Sequence, residues 1–116
     1  MNRVANLARN EKISFMKVVY SLFYRDDKIE GWEKNIIKSL SLSFNFNPKD
    51  ESEYVSKLFS DLNSVAQEIN RISDKRTKIY LLNIIEETFS KSNKIWKGKE
   101  TNKDSSLNFL KRKINL

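Results

Sequence analysis

An all-α fold, a compact bundle of about five to seven helices, is what three features of this sequence predict. Apolar residues recur at spacings of three and four through most of the 116 residues. Two glycines and one proline are few for a chain built from many turns. The densest amphipathic stretch, with the polar break that follows it, returns later in the chain. At this length one domain with one core is expected.

Asn2 to Asn10, with Val4, Leu7 and Ala8 on one side, predicts a short helix packed across the next one. Ile13, Phe15, Met16, Val18, Val19, Leu22 and Phe23 crowd so many large side chains together that this helix belongs at the centre of the core. Asp26-Asp27 ends it, and Ile29 pins the charged break inward. Gly31 to Leu42 is the next helix, with Trp32, Ile36, Ile37 and Leu40 inward and Lys34 and Lys38 outward. Phe44 and Phe46 alternate with polar residues in a loop, either closing the core or forming an exposed patch for a partner. Asn47 followed by Pro48, Asp50 and Glu51 is a helix start. From there Tyr54, Val55, Leu58, Phe59, Leu62, Val65, Ala66, Ile69 and Ile72 hold helical phase, which predicts one long rod over 49–72, bent at most near Asn63-Ser64. Asp74 caps a helix from about Lys75 to Ser90, with Ile79, Tyr80, Leu82, Ile84, Ile85 and Phe89 as its stripe. Residues 91–106 form a lysine-rich connection, and Leu107, Phe109, Leu110 and Ile114 mark a last helix.

Offsetting the chain by 66 residues brings Lys12 onto Lys78, Ile13 onto Ile79, Phe23 onto Phe89 and Lys28-Ile29 onto Lys94-Ile95. Apolar matches alone arise between any two amphipathic helices; the identical Lys-Ile at one distance past each helix is the more telling. The expected organisation is a helix–loop–helix unit used twice, over about 12–46 and 78–116, joined by the 49–72 segment.

These residues resemble the TerB-like family of tellurite-resistance proteins and co-chaperone N-terminal domains. Its repeated signature is a hydrophobic helix, then Ala-Asp-Gly-x-Ile/Val-x-x-x-Glu, then a helix ending near a Leu-Gly-Leu turn. The first copy here is Arg25-Asp26-Asp27-Lys28-Ile29 with Glu33 and Leu40-Ser41-Leu42; the second is Lys91-Ser92-Asn93-Lys94-Ile95 with Lys99, Glu100 and Ile114-Asn115-Leu116. Both copies lack the alanine and glycine, and the second lacks the aspartate. The resemblance implies an all-helical, non-enzymatic protein tied to stress response or to membrane-associated complexes, with divalent cations held on the acidic loops in some members.

With no histidine or cysteine, imidazole acid–base chemistry, thiol nucleophiles, disulfides and Cys/His zinc sites are excluded. No carboxylate pair with an evident cleft and no Ser–Lys motif stands out, so no enzyme is expected. Asp26, Asp27, Glu30 and Glu33 supply the oxygen ligands a weak Ca²⁺ or Mg²⁺ site requires, but fit helix capping better, and no other cofactor is expected. The Met1-Asn2-Arg3 start is polar and no apolar run approaches the length of a membrane span, so a cytoplasmic protein, at most peripheral to a membrane, is expected. The frequent Asn, Lys and Ile fit an AT-rich bacterial or phage genome.

The net charge of +7 lies wholly in the C-terminal part: residues 1–70 hold ten Lys/Arg and ten Asp/Glu, residues 71–116 twelve and five. Lys91, Lys94, Lys97, Lys99 and Lys103 around Trp96, with Lys111-Arg112-Lys113, form the candidate binding surface. Lysines there neutralise phosphates or acidic side chains, and Trp96 either stacks on a base, sits at a membrane interface or caps the core. The first reading is a protein-interaction module of unspecified oligomeric state using this basic surface. The alternative is a small basic protein that binds nucleic acid or acts as a mobile-element inhibitor or regulator; an anionic membrane surface is a further partner class.

Overall fold

Helix α1, Arg9–Phe23, buries residues on every side: Ser14, Phe15, Met16, Val18, Val19, Tyr20, Ser21, Leu22 and Phe23 are all inaccessible. A helix covered all round lies inside the bundle, and the other helices are wrapped on this one. The coordinates, a computed structural model, describe residues 7–25, 28–55, 58–96 and 102–116. Around α1 stand α2 (Gly31–Ser43), a 3₁₀ turn (Pro48–Asp50) running into α3 (Glu51–Val55), α4 (Leu62–Ile69), α5 (Lys75–Lys91) and α6 (Lys103–Lys113). Helices α2, α3, α4 and α5 all pack on α1, and α6 packs on α4. The radius of gyration, 13.2 Å, is that of one compact bundle of this length. The all-α expectation holds.

Local sequence explains most boundaries. Asn47 accepts from Lys49 N at 2.9 Å, with Pro48 in the first turn. Asp61, Asp74 and Asn102 cap α4, α5 and α6 by accepting from Ser64 N, Thr77 N and Ser105 N. At the end of α2, Asn45 takes a left-handed conformation (φ 62°), while Phe46 N donates to Ser41 O and Asn45 N to Leu42 O. This is a Schellman turn, and asparagine is among the few residues that tolerate it. It folds Phe44 under the core and lays Phe46 against it, so both phenylalanines close the interior.

Three expectations are corrected. The rod over 49–72 is two helices. Phe59 N donates to the buried Ser21 Oγ of α1 at 2.8 Å, and Asp61 starts α4 anew, so residues 58–61 leave the helix although their apolar phase continues. Second, Arg9 and Asn10 belong to α1 itself, and Ile79, placed on the inward stripe of α5, is 40% exposed. Third, the last helix begins at Lys103, which shortens the connection before it.

Long-range polar clips fasten the wrap. Glu11 accepts from Ser73 N (2.6 Å) and Ser73 Oγ (2.9 Å), joining α1 to the approach to α5. Arg9 bridges Asp50 and Glu53, each at 2.6 Å, over the face of Phe46. Burial and the hydrogen bond it donates to Glu51 push the Tyr20 phenol up, so it stays a neutral donor. Three carboxyls are held below their ordinary range: Glu11 by the Ser73 backbone N–H, Asp50 by the Asn47 backbone N–H and then Arg9, and Asp74 by the Thr77 hydroxyl and backbone N–H. A depressed folded value adds stability above the unfolded value, and that stability disappears as pH falls through the folded one. Melting temperature is therefore expected to be flat with respect to these groups above about pH 5 and to drop below about pH 4. A scan from pH 7 to pH 2.5 in which Glu11→Gln with Asp74→Asn abolishes none of the acid-side drop would contradict this.

Candidate functional site

The residues singled out from sequence separate into two groups with opposite roles. Lys94 and Trp96 are interior: 5% and 0% exposed. The ammonium of Lys94 donates to Phe23 O at the end of α1 (2.6 Å), to Lys28 O in the following loop (2.7 Å) and to Glu33 Oε1 in the first turn of α2 (2.6 Å). Glu33 is wholly buried, and the same oxygen accepts from Glu30 N at 2.8 Å. An ammonium thus occupies the place beside Glu33 where a cation was expected. Its second oxygen, Oε2, is buried without a hydrogen-bond partner among the described residues. Trp96 packs edge-on against Phe89 with ring centroids 6.2 Å apart. Neither Lys94 nor Trp96 is presented to a partner, because the connection after α5 dips inward and locks the end of α1 to the start of α2.

The remaining acidic candidates are split as well. Glu30 is exposed at the start of α2, and Asp26 and Asp27 lie outside the described residues. No group of three or more metal-ligating side chains occurs among the described residues.

Lys97 and Lys99 also lie outside the described residues. Lys91 is engaged on the surface: it pairs with Glu87 at 2.8 Å, one helical turn back, and its Nζ sits 4.9 Å from the centre of the Trp32 ring. The cations that form a face are those of α6. Lys111, Arg112 and Lys113 are exposed, Lys103 is half-exposed at the helix start, and Arg112 and Lys113 lie over the edge-shielded ring of Phe109, each 5.9 Å from its centre. Ser105, Asn108, Lys111 and Arg112 line a shallow concavity of about 610 Å³. It adjoins, through Ser105, a second of about 650 Å³ lined by Asn93, Ile95, Asn102, Lys103, Asp104 and Ser105. From Ser105 to Leu116 the sequence has no acidic side chain.

Comparison with protein-family models, with curated proteins and with solved structures finds no match to this chain. The site is therefore described by its own chemistry.

The end of α6 is fixed to the turn between α4 and α5. Asn70 Nδ2 donates to Lys113 O (2.9 Å), Asn115 N donates to Asn70 Oδ1 (2.7 Å), and Lys78 Nζ donates to Asn115 O (2.8 Å). Next to Asn70 in sequence, Arg71 is 67% exposed at its side chain and pairs with Glu68 at 3.7 Å. Sequence reasoning missed Asn70 and Lys78, since the bonds that join them to the end of α6 span about forty residues, and it passed over the neutral Ser105 and Asn108. The surface they complete donates hydrogen bonds and positive charge; it offers no nucleophile paired with a base. Among the described residues no helix is long and apolar enough to cross a membrane.

Proposed function

We propose that this protein is a non-enzymatic interaction module whose docking face is the outer side of α6, where it holds an anionic macromolecular partner. The observation that carries this reading is the row of donors on that face, Ser105, Asn108, Lys111 and Arg112, on a stretch from Ser105 to Leu116 that holds no acidic residue. Opposite charges attract over about 8 Å at physiological salt, and a row of like charges anchored on a rigid helix raises both encounter rate and affinity for a polyanion. Kinship with TerB-like proteins, and with it a place in a stress-response or membrane-associated complex, is part of the proposal. The paired Lys-Ile motifs support the duplicated unit that such kinship entails, and Lys94 bonding the carbonyl of Lys28 joins the two motifs directly.

The test is retention on an immobilised polyanion. Lys111→Glu with Arg112→Glu is expected to elute at markedly lower salt than Lys34→Glu with Lys38→Glu, which removes the same charge from α2. Equal elution of the two would show that net charge alone acts, and the reading would fail.

A further inference from the structure

Resting on that docking face, we infer that its partner is the phosphate backbone of a nucleic-acid duplex, gripped without regard to base sequence. Four observations select this partner among polyanions. First, the face lacks an anchor for a protein. Among the described residues the exposed large apolar side chains are Tyr24, Leu42, Leu58, Ile79 and Leu116, none of them on α6, and half-buried Ile95 is the one apolar residue lining the trough. Protein interfaces draw most of their affinity from buried aromatic and aliphatic anchors.

Second, the donors are ranged in a strip. Two adjoining shallow hollows carry them along α6 from Asn102 to Arg112, an elongated arrangement suited to a linear polyanion. Third, the tryptophan that would stack on an unpaired base or seat in a bilayer interface is wholly buried, and Phe109 is half-buried beneath two cations. A single strand would find no stacking platform here. Fourth, the dimensions agree. An 11-residue helix is about 16 Å long, short enough to lie against one backbone before that strand, rising about 3.4 Å per phosphate along the duplex axis, winds away around the duplex. Lys103 near one end of it and Lys111, Arg112 and Lys113 near the other supply four cations, while Ser105 and Asn108 add neutral donors of the kind that fix register on phosphates.

The experiment is fluorescence anisotropy with a 20-base-pair labelled DNA duplex of mixed sequence. About four phosphate contacts predict a slope near −3.6 for log K against log salt, so affinity falls roughly a hundredfold from 50 to 200 mM. A second duplex of unrelated sequence is expected to bind within about twofold. Lys111→Glu with Arg112→Glu is expected to weaken binding at least about tenfold at 100 mM salt and to flatten the slope by about two units. The milder Lys111→Gln with Arg112→Gln serves if acidic side chains at a helix C-terminus impair folding. Lys34→Glu with Lys38→Glu should leave binding unchanged. A duplex that fails to bind at 50 mM salt overturns the inference, as does equal weakening by the α2 control. If phosphatidylserine vesicles or polyglutamate then bind in an α6-dependent manner, the docking face stands and only its partner was wrong. If none of the three binds, the face itself is refuted.

Discussion

Lys94→Ala is expected to lower the unfolding free energy by about 3–5 kcal/mol, the usual result of removing one member of a buried ion pair. The reason lies in what the ammonium leaves behind. Glu33 would remain a wholly buried carboxylate, accepting from Glu30 N without its cation, and the carbonyls of Phe23 and Lys28 would lose the donor they share. The desolvation of those groups is already built into the fold; only their compensation is withdrawn. Replacing both partners by apolar residues, Glu33→Met with Lys94→Met, is expected to cost less than Lys94→Ala alone, since no buried charge is stranded. Urea denaturation measures each. A loss under about 1 kcal/mol for Lys94→Ala would mean that the ammonium is solvated, as an ordinary surface lysine is.

Trp96→Ala is the second large effect, about 3–5 kcal/mol from lost burial and the cavity left beside Phe89. Trp96→Phe is expected to cost less than the alanine change. The indole N–H is buried with no hydrogen-bond partner among the described residues, so removing it relieves a desolvated donor while most of the ring contact is kept. A surface stacking residue would behave otherwise, with both substitutions within about 0.5 kcal/mol of the parent. The two predictions share a structural cause. The segment after α5 contributes an aromatic plug against Phe89 and a charged clasp that joins the end of α1 to the start of α2.

How much of this was legible in the chain depends on whether the deciding contacts are local. Helix periodicity placed α2 and α5 to within a residue or so, and the Asp74 cap sits next to the helix it starts, whereas the Asn102 cap that begins α6 went unread inside the lysine-rich connection. The density of apolar residues in 13–23 announced the central helix, and the Schellman turn after Leu42 explains why Phe44 and Phe46 face inward. The rod over 49–72 was misread because periodicity cannot see Ser21 Oγ, thirty-eight residues away, capturing Phe59 N. Charge composition erred for a related reason. A lysine in a lysine-rich, glycine-containing stretch carries the pattern of a solvated face, and the sixty-one residues between Glu33 and Lys94 conceal their pairing. The repeated Lys-Ile did hold a clue, because Lys94 follows the apolar end of α5 as Lys28 follows that of α1. The basic face itself was visible in Lys111-Arg112-Lys113, while the fastening of its end by Asn70 was not.

The most direct test of the whole account is amine-acetylation footprinting of the native protein, read lysine by lysine by mass spectrometry, without and with a 20-base-pair DNA duplex. The account predicts that Lys94 stays unmodified until the protein is unfolded, while Lys111 and Lys113 react readily alone and are shielded by the duplex. Lys94 labelling as fast as Lys111 in the native state, or a duplex that shields Lys34 and Lys38 as much as Lys111 and Lys113, would contradict it.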